Sequence, residues 1–200
     1  MNLILASKSP TRKEILENLG VKFEIKALDT DESTDQTDPE KYVTEISRRK
    51  GEAVKDKLIS EDSICSKTII LSCDTVVVSP EGEIMGKPKN RDDARRMLLS
   101  YSGKVHRVIS GIALATKEKT VCASETTYVY FDKPDEKEIE EYISGDEPFD
   151  KAGAYAIQGR ASLWIDKIDG DYFNVVGLPI KKISDLMKDT FGISLSAFIE

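Results

Sequence analysis

The chain has 200 residues, with 29 Lys and Arg against 36 Asp and Glu, a net charge of −7 and 40% hydrophobic residues. That length suits one domain of one or two lobes, and the acidic balance speaks against a general duplex-binding face, which needs a broad basic surface. No apolar run reaches the ~18 residues of a membrane span, no basic n-region precedes a long apolar stretch, and Cys65, Cys73 and Cys122 form neither a CxxC pair nor a zinc spacing; the expectation is a cytoplasmic protein with reduced thiols that takes a small anion through a local cluster of cations.

In chain order, Leu3 to Ala6 reads as a short apolar strand running into the turn Ser7-Lys8-Ser9. A helix then opens at Pro10 and runs to about residue 18, with Ser9 as N-cap and Gly20 just beyond its end. Two hydroxyls, two cations and free backbone N–H groups meet at that helix start, which suits an anion such as phosphate. Structure this early leads us to expect folded chain at the start and not a targeting peptide. Val21 to Lys26 reads as a strand and Ala27 to Thr37 as an acidic loop containing Glu32.

Asp38-Pro39-Glu40 opens a helix to about residue 57, whose apolar stripe is Val43, Ile46, Ala53 and Val54. Lys50 falls on the same face. It is either a stripe-edge lysine snorkelling to water or a lysine lining a cleft for an anion. Thr68–Ser72 and Thr75–Val78 read as strand, interrupted by Asp74. A lone aspartate in such a run is either a hydrogen bonder at a strand end or bulge, or a carboxylate held rigidly to accept a proton or ligate a metal.

Lys87 lies in a Gly-Lys-Pro turn, and Asn90 caps a helix from about 91 to 100 with Ala94, Met97 and Leu98 inward. Val105–Ala115 and Val121–Phe131 read as long strands, Pro134–Ile143 as a helix, Ala154–Ile157 and Ser162–Ile168 as strands, and Pro179 to about Asp189 as an amphipathic helix. Strands mixed with helices throughout give an α/β class with a mixed sheet.

The single histidine, His106, reads as structural, and no nucleophile motif, GxGxxG or Walker A pattern is present. Glu32 is by default a solvated loop residue, although a carboxylate near a phosphate site can hold Mg²⁺. Gln158 can read a base edge with one donor and one acceptor, or stand as a surface amide. Together these parts suit metal-assisted attack of water on a phosphoanhydride.

Six blocks occur in an order that resembles the Maf family of nucleoside triphosphate pyrophosphatases: LASKSPTR from Leu5, SCDTVV from Ser72, GKPKNRDDARRML from Gly86, SGKVHRVISGIAL from Ser102, DEPFDKAGAYAIQG from Asp146 and GDYFNVVGLPI from Gly170. The resemblance implies an elongated α/β fold whose mixed sheet bends around a central cleft and is flanked by helices. It implies hydrolysis of a nucleoside triphosphate to monophosphate and pyrophosphate with a divalent cation, Mg²⁺, Mn²⁺ or Co²⁺. Asp74 is then the proton acceptor, and Ser7, Ser9, Arg12, Glu32, Lys50 and Lys87 are the substrate-binding positions, with Glu32 and Asp74 as metal ligands. Asp74-Thr75 and Ile157-Gln158-Gly159 match the dTTP/UTP subgroup, which makes Thr75 and Gln158 specificity positions. Thr11 departs from that subgroup, which resembles this chain elsewhere but carries arginine there; Thr has neither the reach nor the charge. The 7-methyl-GTP subgroup is the alternative within the class, and a septum or cell-division regulator without turnover is the alternative outside it. The expected partner is a nucleoside triphosphate, with no stable nucleic-acid partner and no membrane; a homodimer is left open.

Overall fold

Seven strands and six helices carry the fold of the computed structural model, which describes residues 1–199. The strands are β1 (Asn2–Leu5), β2 (Glu24–Ile25), β3 (Thr68–Val78), β4 (Ile84–Met85), β5 (Val105–Ala115), β6 (Thr120–Phe131) and β7 (Ile165–Asp169). The helices are α1 (Pro10–Asn18), α2 (Pro39–Ser60), α3 (Arg91–Tyr101), α4 (Glu136–Ile143), α5 (Tyr172–Val176) and α6 (Ile180–Phe191). Strand order is β2-β1-β3-β5-β6-β7, with β4 paired to β3 off that path. β1 runs parallel to both β2 and β3, with Leu5 opposite Ile25 and Leu71, whereas β4 and β7 pair antiparallel with β3 and β6. The sheet is therefore mixed, flanked by helices, as the alternation of elements in the sequence predicts.

Local chemistry fixes the helix starts. Ser9, Asp38, Asn90 and Asp135 each accept a backbone N–H at the head of a helix, and Pro follows the first two. Gly20 and Gly192 take positive φ just past α1 and α6, where an L side chain is strained.

The chain forms two compact units. One comprises Met1–Asp74, Ser110–Glu125 and Gly177–Glu200, the other Thr75–Ile109 and Thr126–Val176. In the first unit, Ile4, Ala6, Val54, Leu58, Ile64, Ile70 and Ala115 pack together under α2. In the second, Tyr101, His106, Phe131, Tyr142, Tyr155 and Trp164 form a nest of rings whose neighbouring centroids lie 4.4 to 6.0 Å apart.

Several sequence expectations are corrected. β3 runs unbroken from Thr68 to Val78, through the interruption expected at Asp74. The strand predicted over Val21–Lys26 shrinks to two residues, with Val21 in an isolated bridge to Ile199. Ala154–Ile157 is not a strand, because Gly153 and Ala154 both take left-handed φ, 69° and 61°, and turn the chain. Residues 160–164 form a 3₁₀ turn, so β7 begins only at Ile165.

Candidate active site

Close approach of α2 to the sheet builds the centre of the site. A Cβ on Gly51 would lie 2.7 Å from the Ser72 hydroxyl, and one on Gly111 would lie 2.1 Å from the Val43 carbonyl oxygen. The Ser72 hydroxyl donates to the Ser47 carbonyl at 2.7 Å, locking helix to strand. With small residues at these points, the Lys50 side chain spans from α2 to β3. Its Nζ lies 2.7 Å from Asp74 Oδ1 and 2.8 Å from Glu32 Oε1.

Lys50 does not snorkel to water: its side chain is only 17% exposed and ends on two carboxylates. Burial by itself pulls the ammonium's pKa down, but the charges and hydrogen bonds of Asp74 and Glu32 outweigh it and raise the pKa above the ordinary lysine value. Asp74 is half-buried, which matches a carboxylate open on one side and held on the other. Tyr42 joins this group. Burial, then the nearby Asp74 and Glu32, raise its phenol pKa. Sequence reasoning missed it, although Tyr42, Ile46 and Lys50 recur every four residues along one face of α2.

A second set of contacts converges on the start of α1. The Ser7 hydroxyl accepts from the Ser9 backbone N–H and from Arg12 Nη1, both at 3.2 Å. Ser9 caps the Arg12 backbone N–H. Arg12 also donates through Nη1 to the Cys73 carbonyl at 2.6 Å and through Nε to the Gly177 carbonyl at 3.0 Å. The guanidinium thus braces the peptide immediately before Asp74 as well as standing at a helix N-terminus. Lys8 does not share that place: its Nζ pairs with Asp29 at 2.5 Å on an exposed surface. Thr11 sits half-buried in the first turn of α1.

The remaining predicted positions fall in the second unit. Thr75 continues β3 and is half-buried, Lys87 is exposed beyond β4, and Gln158 is exposed in the turn before the 160–164 segment. Gly159 beside Gln158 lies against Glu147, whose carboxylate would be 2.0 Å from a Cβ there. A polar hollow of about 740 Å³ is lined by the Thr30–Gln36 loop with Glu45 and Arg49; Glu32, Lys50 and Asp74 do not line it.

Among the described residues, no three His, Cys, Asp or Glu side chains cluster as a metal cage. Glu32 Oε1 and Asp74 Oδ1 meet at the Lys50 ammonium, and each carboxylate has a second oxygen of the kind a hard cation such as Mg²⁺ takes, one or two from protein with water and phosphate filling its shell. No helix among the described residues is long and apolar enough to cross a membrane.

The family model described as Maf-like protein matches residues 2–190. Among curated relatives, a dTTP/UTP pyrophosphatase of Alkaliphilus metalliredigens (strain QYMF) is 48% identical over 196 residues, covering 96% of this chain and 98% of the relative. A dTTP/UTP pyrophosphatase of Thermoanaerobacter sp. (strain X514) is 45% identical over 197 residues, covering 98% and 100%. The one of Bacillus cereus is 43% identical over 182 residues, covering 90% and 91%. Among solved structures, the Staphylococcus aureus Ham1 protein aligns with a TM-score of 0.47 at 12% identity, over 66% of this chain and 72% of that one. With the family model spanning nearly the whole chain and these relatives matching end to end, the chain belongs to the Maf-like protein family.

Proposed function

We propose that this chain hydrolyses dTTP and UTP to the nucleoside monophosphate and pyrophosphate, with Asp74 as the group that takes the proton from the attacking water. The observation that carries the reading is Lys50 on α2 pairing with Asp74 on β3, two elements locked together by packing, and reaching Glu32 from the loop between β2 and α2. The full-length likeness to relatives named dTTP/UTP pyrophosphatases supplies the substrate.

Water adds to phosphorus at the α–β bridge, the bridging P–O bond breaks, and pyrophosphate leaves while the water proton passes to Asp74. A strand-held carboxylate suits this because its position is set before the substrate arrives. Lys50 keeps that carboxylate oriented, and its raised pKa keeps the ammonium charged at neutral pH. Charge building on the phosphate oxygens is met by fixed donors: the Ser7 and Ser9 hydroxyls and the Arg12 guanidinium at the start of α1. Asp74 and Glu32 would hold a divalent cation, which when bound withdraws electron density from the phosphate oxygens and steadies the attacking water. The resemblance extends the substrate contacts to Lys87 and the base-reading positions to Thr75 and Gln158.

The test is a panel of canonical and modified triphosphates ranked by kcat/KM with Mg²⁺, Mn²⁺ or Co²⁺, with the products identified. Pyrophosphate and dTMP or UMP in equal amounts are expected. Orthophosphate as the main product, or a strong preference for 7-methyl-GTP, overturns the proposal.

A further inference from the structure

We infer that Arg49 is a positioning residue that holds the acidic loop so that Glu32 stands at Lys50 and Asp74. The inference rests on the pyrophosphatase reading and adds to it a residue outside the reacting centre. Glu32 lies in the segment between β2 and α2, which has no helix or strand of its own, and its side chain is 58% exposed. A loop side chain so placed has many alternatives in water, and its ion pair with Lys50 cannot by itself order the backbone against conformational entropy.

Arg49 supplies the missing restraint. Its Nη1 donates to the Ser33 carbonyl at 2.6 Å and to the Asp31 carbonyl at 3.3 Å, the residues on either side of Glu32. Its Nη2 pairs with Glu45 one helical turn back on α2. Glu45 in turn accepts from the Thr34 hydroxyl at 2.7 Å, so the loop is tied to the helix at a third point. A planar guanidinium serves here because it can reach two carbonyls and a carboxylate at once, which a lysine ammonium on a flexible stem does not match. Arg49 and Lys50 are adjacent in the chain. One turn of α2 therefore sends one cation to the backbone around Glu32 and the next to its carboxylate.

The experiment is a double-mutant cycle of Arg49→Met and Glu32→Gln, with hydrogen exchange of residues 27–37 measured alongside. Arg49→Met should lower kcat/KM about tenfold, as displacement of an aligned group does. The same change made on top of Glu32→Gln should cost less than about twofold, because the residue it serves has already gone. Exchange over residues 27–37 should quicken about tenfold in Arg49→Met while the thermal midpoint stays close to wild type. Thr34→Val should move both readouts in the same direction by a smaller factor. Losses that multiply in the double variant, or unchanged exchange in Arg49→Met, overturn the inference. A wild-type chain that cleaves no triphosphate overturns the pyrophosphatase reading instead; quickened exchange in Arg49→Met then still upholds the clamp, and unchanged exchange removes it.

Discussion

Lys50 in the first unit and His106 in the second are both titratable groups drawn out of water, and their surroundings move them in opposite directions. Lys50 is met by two carboxylates and its pKa rises despite burial. His106 is met by the rings of Tyr101, Phe131 and Tyr155, and burial lowers its pKa to about 3. Its Nε2 pairs with the Tyr155 hydroxyl at 2.8 Å, and its Nδ1 is buried with no hydrogen-bond partner among the described residues. Two carboxylates keep the Lys50 charge in place, whereas the rings around His106 keep it neutral, and the proposed function uses only the first. The two environments should therefore separate in experiment, one governing turnover and the other governing stability.

The sharpest break is Asp74→Asn. It keeps the shape of the side chain and leaves Lys50 its contact with Glu32, so the thermal midpoint should move by no more than about 4 °C. Removing the proton acceptor should lower kcat by about a thousandfold. Near wild-type turnover in a folded Asn variant would remove Asp74 from the reaction.

Tyr101→Ala is the counterpart in the second unit. Tyr101 is fully buried, its ring lies 4.4 Å from that of His106 and 5.0 Å from that of Phe131, and its hydroxyl donates to the Gly153 carbonyl. The cavity should cost about 3–5 kcal/mol in urea denaturation, while kcat per folded molecule stays within a few-fold. A loss under about 1 kcal/mol would mean that the aromatic nest is not what holds this unit together.

His106 gives a smaller effect with a definite sign. The unfolded chain takes up a proton below the ordinary value of 6.5, which the folded chain refuses until about pH 3. Its contribution to stability is therefore full above pH 6.5 and is lost as pH falls from there toward 3, at up to about 1.4 kcal/mol per pH unit. His106→Leu should be less stable than wild type at pH 8, since the Tyr155 hydroxyl loses its partner, yet should lose less stability between pH 6.5 and pH 4. Parallel pH curves for the two proteins would refute the assignment.

The same contrast explains what could be read in the chain. α1, α2 and α3 were legible because cap, proline and apolar spacing agree locally, and β5 and β6 because long apolar strands flank a charged turn. The continuity of β3 was not, because the charge that permits Asp74 there comes from Lys50, 24 residues earlier in the sequence. Ala154–Ile157 has a strand's composition, but Gly153 presses on Val77, and Tyr155 is committed to His106. Those constraints are tertiary and leave no periodic trace. Of the site, Asp74 and Lys50 announced themselves as charges in apolar settings. Arg49 and Tyr42 did not, since an arginine or a tyrosine on a helix face is ordinary until its partners are known.

The smallest expected effect tests whether the first unit still has room for ligand at some cost in stability. Thr11 occupies the first turn of α1, where relatives of the dTTP/UTP subgroup are expected to carry arginine, and the nearby Lys8 points to the exposed surface, paired with Asp29 at 2.5 Å. Thr11→Arg adds a cation to a helix N-terminus, which should cost about 0.3–1 kcal/mol of stability. A charge-assisted bond from the new guanidinium to a phosphate or base carbonyl should raise kcat/KM for dTTP and UTP about tenfold. Part of that gain should disappear at high salt, because the site is open enough to be screened. If stability falls with no gain for either nucleotide, Thr11 does not face the substrate, and the preference for a base is set elsewhere in the chain.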